Sequence, residues 1–416
     1  MFYRSKKINK VFHILVCFFI ISMTHAQDFN GSINISYVEN DENSWWIQNN
    51  NFGFKFYPFY QQTKLELKKK NYEVKFNLFS SLNNFEQLTV NESYIKIPIK
   101  NSFIKFGRYY KDFSIYLNDQ LSSGSILISN NAQAMPKIGI VSQKKINRNR
   151  NITFNLGIAH GIFDKNTVYT RSPFLHEKFI YMNIENENTL YSFGFVHEAI
   201  WGGEINSEHR FAGKQPNSIS DYFKIFIAAD GPNDFPHANA LGNHLGIWDF
   251  SMQKRLGSKN FTVYYQHIFE DTSGLRFQNK TDGLWGIELT NFIKNTTLLL
   301  EYLNTKNQFL DPPYVAENYY NHGLYSYGWS YKDNHLGNPL INPIEPSASD
   351  YLHLGFSGFI QAKTFFSLKS FRELSNSNSI KYKLEIKQSF KKDYLIGIAI
   401  LRDLETIVGF ELEKKL

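Results

Sequence analysis

The chain has 416 residues, of which 17% are aromatic (38 Phe, 25 Tyr and 6 Trp), while its mean hydropathy is only −0.37. That aromatic content excludes ordinary disorder, and after residue 23 no run of about 18 apolar residues is present that could cross a bilayer as a helix. Net charge is +7, but Arg4, Lys6, Lys7 and Lys10 open the chain; without them +3 remains, which is no argument for nucleic acid as a partner.

Residues 1–26 read as a signal peptide. The basic opening precedes an apolar run over 11–23, and Thr24-His25-Ala26 places a small residue before a cut at Gln27. The run is shorter than the approximately 20 residues of a span, which argues against an uncleaved anchor. Cys17, the only cysteine, lies inside the run and not at the cut. The mature chain, 27–416, is therefore expected to carry no lipid anchor and no thiol, which excludes disulfides and cysteine-based metal or catalytic chemistry.

Beyond Gln27 the sequence alternates with a period of two. Tyr72, Val74, Phe76 and Leu78 alternate with Glu73, Lys75 and Asn77; Ile95, Ile97 and Ile99 with Tyr94, Lys96 and Pro98. The same pattern recurs at Ile152, Phe154, Leu156 and Ile158, at Tyr382, Leu384 and Ile386, and at Val408, Phe410 and Leu412. One face of each segment is apolar and the other polar. A soluble sandwich would alternate too, but no linker divides the chain into sandwich-sized units, Tyr and Phe crowd the segment ends, and short connections alternate with very long ones. These features predict an all-β transmembrane antiparallel β-barrel with long extracellular loops. At roughly 22 residues per strand and connection, about 18 strands are expected, with 16 the even-numbered alternative. Leu416 is not the terminal aromatic common in such barrels.

The clearest region predicts strands near 261–269, 284–290, 297–303 and 351–359. The short turn 291–296 between two of them should face the periplasm, and the long connections on either side the cell surface.

Motifs for chemistry are sparse. His176-Glu177 and His197-Glu198 begin like a zinc-protease helix, yet the fourth residue after each histidine is Ile180 or Trp201. No nucleophile elbow, phosphate loop or dinucleotide fingerprint is present, so no enzyme activity, metal or cofactor is expected. Asp230-Gly231-Pro232-Asn233-Asp234 reads as a turn before it reads as a calcium site. The basic cluster Lys144, Lys145, Arg148 and Arg150 reads as a solvated turn, or as a contact to anionic lipid or lipopolysaccharide phosphate.

Two constellations carry more information. Glu288 and Glu301 occupy the polar alternation of neighbouring strands and should both point into a wet lumen, in a salt-bridge network with Lys or Arg from opposite strands. In the long outer loop, Tyr314, Tyr319, Tyr320, Tyr325, Tyr327, Trp329 and Tyr331 lie among Asn318, Asn321, His322, Asp333, Asn334 and His335. Flat aromatic faces edged by hydrogen-bonding groups suit sugar rings; the other reading is a loop folded inward whose aromatics form the core of a plug. On the first reading Tyr319, Tyr320, His322, Tyr325, Trp329 and His335 are the polysaccharide-binding residues.

A family resemblance joins these pieces. The stretch Leu121-Ser-Ser-Gly-Ser-Ile-Leu-Ile-Ser-Asn-Asn-Ala, ending at Pro136-Lys137, resembles a segment of the Wzi family of capsule-assembly proteins. So do Trp201-Gly202-Gly203, Gly242-Asn243-His244-Leu245-Gly246 with Asp249-Phe250, and Tyr264-Tyr265-Gln266 leading to Phe269-Glu270-Asp271. Asp282-Gly283-Leu284-Trp285-Gly286, Leu300-Glu301-Tyr302 with Thr305 and Gln308, and Tyr320-Asn321-His322 through Gly328-Trp329 to Gly337-Asn338-Pro339 follow in order. The resemblance implies an outer-membrane lectin-like barrel that binds capsular or surface polysaccharide and assists capsule assembly or attachment. Its implied partners are that polysaccharide, outer-membrane lipid, lipopolysaccharide and the capsule export machinery. A general or solute-selective porin is the alternative. Better-known members add a helical bundle at the periplasmic end; here residues 28–38 alternate like a strand instead.

Overall fold

The computed structural model describes residues 28–39, 44–54, 59–81, 88–147, 151–231, 240–308, 318–343, 348–375, 379–403 and 405–416. The expected signal peptide, Arg148, Arg150, Tyr314 and most of the 230–234 turn lie outside them.

Eighteen antiparallel strands close into a barrel. The first six are β1 (Asp28–Val38), β2 (Phe59–Lys69), β3 (Tyr72–Ser81), β4 in two parts (Leu88–Val90 and Ser93–Ile99), β5 (Ser102–Tyr109) and β6 (Met135–Asn147). Next come β7 (Ile152–Ile162), β8 (Phe174–Asn186), β9 (Thr189–Trp201), β10 (Asn243–Leu256), β11 (Lys259–Phe269) and β12 (Gly283–Thr290). The circuit ends with β13 (Thr296–Asn304), β14 (Asp350–Ile360), β15 (Thr364–Glu373), β16 (Ile380–Lys391), β17 (Tyr394–Arg402) and β18 (Thr406–Lys415). Each strand pairs with its sequence neighbour, and β1 pairs with β18 from Ser32↔Lys415 to Val38↔Gly409, so no edge is left open. The region 28–38 is thus the closing strand of the wall.

Alternation sets the two faces. Ile97, Ile287 and Phe410, 44–52% exposed, point outward with the other apolar members of their strands; in a membrane this band meets lipid. The strands expected near 261–269, 284–290, 297–303 and 351–359 are present, each a residue or two longer. The short turn after β12 is possible because Asn291 and Asn295 adopt φ of +56° and +61°, a region asparagine tolerates. The short turns after β2, β4, β8, β10, β12, β14 and β16 lie at that end of the barrel, and the long connections at the other.

The outer half of the lumen is filled by the chain itself. The β5–β6 loop, residues 110–134, dips inside and buries Leu121, Ile126 and Leu127. From the β1–β2 loop, the short helix Trp45–Gln48 also turns inward and packs both its tryptophans on Phe371 of β15. Residues 318–343 lie over the inserted loop as a cap.

Candidate functional site

The inserted loop is held by polar side chains on the lumenal alternation of β8 to β14. On β10, Asp249 accepts hydrogen bonds from Ser114 Oγ and Tyr116 of the loop and from Tyr181 of β8. On β11, Gln266 uses both ends of its amide. Its Oε1 accepts from Ile126 N at 3.0 Å and Ser125 Oγ at 3.2 Å, while Nε2 donates to Ser114 Oγ at 3.0 Å and Tyr116 at 3.2 Å. On β13, Glu301 accepts from Ser122 Oγ at 2.6 Å, the Ser123 amide at 2.7 Å and the Tyr264 hydroxyl. Tyr264 can lie flat across β12 because residue 286 is glycine: a Cβ there would sit 2.0 Å from the ring. His353 of β14 bonds the Leu121 carbonyl at 2.7 Å. At the loop's exit, Lys137 and Glu177 form a buried ion pair at 2.7 Å.

The cap closes this arrangement from outside. Tyr320 donates to Ile126 O at 2.5 Å and accepts from the Asn338 amide; Trp329 Nε1 donates to Leu127 O at 2.8 Å. Ser129 donates its amide to Leu336 O and its hydroxyl to Gly337 O, and Asn338 Nδ2 reaches Ser123 and Gly124. Neighbouring loops join through Tyr325 to Gly202 O, Glu270 to the Tyr320 amide, and Asp282, which accepts from Tyr319 and from the backbone and side chain of Asn307. Burial pushes the Asp282 carboxyl up to about 6 against those hydrogen bonds, raises the hydroxyls of Tyr320 and Tyr325, and lowers the His335 imidazole. Every stretch quoted for the family resemblance contributes to this one network.

The site residues expected from sequence fare unequally. Tyr319, Tyr320, Tyr325 and Trp329 are at most 1% exposed, so none offers an open ring face; they are the cap's own core, the second reading of that loop. Only His322 and His335 of the six are partly exposed. His322 Nδ1 accepts from the amides of Leu324 and Tyr325, and His335 Nδ1 meets Ser330 Oγ at 3.1 Å. Glu288 and Glu301 both lie on the lumenal alternation, Glu288 opposite Leu299 and Glu301 opposite Gly286 and His353. The salt-bridge network expected around them is not found: among the described residues neither pairs with Lys or Arg, since the inserted loop meets Glu301 with the Ser122 hydroxyl and the Ser123 amide, and Glu288 accepts from Thr290 at 3.4 Å. Sequence reasoning gave no role to Ser114, Asp249, Gln266 or the Lys137–Glu177 pair. Several sat inside the quoted motifs, which were the available signal.

The family model for the capsule assembly protein Wzi matches residues 21–399. The chain belongs to the Wzi capsule-assembly family. Among solved structures it is similar to Wzi of Escherichia coli, an outer-membrane protein involved in group 1 capsule assembly and a carbohydrate-binding β-barrel. That likeness has a TM-score of 0.61 at 13% identity and covers 94% of this chain and 85% of that one. Porin variants from Rh. blastica align over 94% of this chain and 99% of theirs with a TM-score of 0.40 and 10% identity. No curated protein matches the chain. As a Wzi-family barrel the protein resides in the outer membrane, with its long loops at the cell surface.

Proposed function

We propose that the barrel holds capsular or surface polysaccharide on its outer loops and so assists capsule assembly or attachment, by binding and not by catalysis. The observation that carries this reading is that the family's motif residues are spent on sealing the lumen and shaping one rigid outer surface. A porin would leave that space to solvent. Polar groups on the cap's exposed side, among them Asn321, His322, Asp333 and His335, with the half-exposed Tyr327 ring between them, have the mixture of edge and face that suits sugars. The buried aromatics then act indirectly, as the frame of that surface. Outer-membrane lipid, lipopolysaccharide and the export machinery are the further partners this reading takes.

The test compares cell-bound with shed polysaccharide in a His322→Ala, Tyr327→Ala, His335→Ala triple variant, with single-channel conductance measured in parallel. Retention should fall while conductance stays at the wild-type level. Unchanged retention would remove the cap as the binding surface.

A further inference from the structure

Near the outer ends of β7 to β10 the external wall carries polar residues where lipid-facing ones are expected. The lumenal set of β8 is Leu175, Glu177, Phe179 and Tyr181, so His176 and Lys178 face outward. By register His160 lies beside His176, and His197 beside Lys178, with His244 on the next strand. The rings of His160 and His176 are 5.2 Å apart, and His197 Nε2 is 2.9 Å from His244 Nδ1. Farther down the same face Leu156, Ile180 and Phe193 are 40–45% exposed, so the lipid band begins there.

The helix Ile219–Ile227, from the β9–β10 loop, lies across this polar patch. Tyr222 is 5.4 Å from His160 and 5.5 Å from His176, Phe226 is 5.4 Å from His176, and Lys178 Nζ sits 4.2 Å from the Phe226 ring. Ile225 is fully buried with Ala199 and Leu241. A capping box between Ser218 and Asp221 fixes the helix start. The opposite face presents Ile219, Phe223 and Ile227, spaced by four on one ridge, at 80, 63 and 70% exposure. In water this arrangement would be inverted, since imidazoles are hidden and three large apolar side chains displayed. Against hydrocarbon it is the favourable one, because the helix replaces a polar stretch of wall with an apolar surface continuous with the lipid band.

We propose that this helix is an interfacial anchor, its Ile219, Phe223 and Ile227 ridge seated among the acyl chains of the outer leaflet. Through Gly202, whose carbonyl receives the Tyr325 hydroxyl at 3.2 Å, the same loop is tied to the cap, so the anchor fixes the height of the cap above the membrane. The inference rests on the outer-membrane location and not on the polysaccharide reading.

Nitroxide labels test it. In a Cys17→Ser background, Ile219→Cys, Phe223→Cys and Ile227→Cys are labelled in the purified barrel and reconstituted into bilayers of phospholipid and lipopolysaccharide, with Phe193→Cys as lipid control and Glu208→Cys as water control. These are exposed side chains, and heat-modifiable migration verifies each fold. Collision with oxygen relative to a water-soluble nickel chelate should match the Phe193 label and exceed the Glu208 label several-fold. A ratio like that of Glu208, or shielding from both reagents as under a protein partner, would overturn the proposal.

Discussion

The wall from β8 to β14 and the wall from β15 round to β4 enclose one lumen with different chemistry. On the first, Asp249, Gln266, Glu301 and His353 each bond the inserted loop. On the second the ladder is charged and pairs with itself: Lys75 with Glu92 at 2.6 Å, Lys383 with Glu385 and Lys387 with Glu411 at 2.9 Å. Lys383, Glu385, Lys387 and Glu411 line a recess with Ser36 and Tyr60. Where polypeptide replaces water, a carboxylate needs donors aimed at it; where water remains, charges need only modest pairing. Two similar glutamates, Glu301 and Glu411, therefore have unequal structural weight.

The largest test of that contrast is Glu301→Leu. It would leave Ser122, Ser123 and Tyr264 without their acceptor, at about 1–3 kcal/mol for each buried donor left unpaired. The barrel should still migrate as a heat-modifiable species while channel conductance rises as the plug loosens; a silent channel would mean the loop is held elsewhere. Trp329→Ala, which empties the cap's core, should cost about 3–5 kcal/mol of local stability. Proteolytic nicking of the cap would report it, with the wall intact.

A subtler effect comes from Asp282, which belongs to the plugged side. Its folded carboxyl, at about 6, lies above the unfolded value of about 3.9, so the folded junction binds the proton more tightly. That contribution is fully present below about pH 4, declines as pH rises towards about 6 and is flat beyond. Hydrogen-exchange protection of the Asn307 amide, corrected for intrinsic rate, should fall over this window in the wild type and not in Asp282→Asn. The smallest effect is expected on the charged side. Lys387→Gln breaks a part-exposed pair worth roughly 0–1 kcal/mol and should change the ion selectivity of the channel opened by Glu301→Leu with little change in assembly. A large assembly defect there would erase the distinction between the two walls.

Much of the barrel was legible in the sequence because period-two alternation is a local property. Ile95, Ile97 and Ile99 must share a face whatever the rest of the chain does. The strands around Trp285 and Tyr302, and the short turn between them, were readable for the same reason. The site was less legible. The aromatics of 319–329 look the same in sequence whether their faces meet a sugar or one another, and only packing against Ile126 and Leu127 distinguishes the two.

By itself, then, the sequence determined an outer-membrane-type wall, its approximate size of 16 to 18 strands and the end bearing long loops, all consequences of alternation and connection length. Tertiary structure alone decided that residues 110–134 enter the lumen, that Glu301 is met by Ser122 and Ser123 from far along the chain, and that histidines on the outer wall lie under a helix. Such contacts join residues many strands apart, and their free energy depends on which water each group gives up. No local pattern in the chain encodes that exchange.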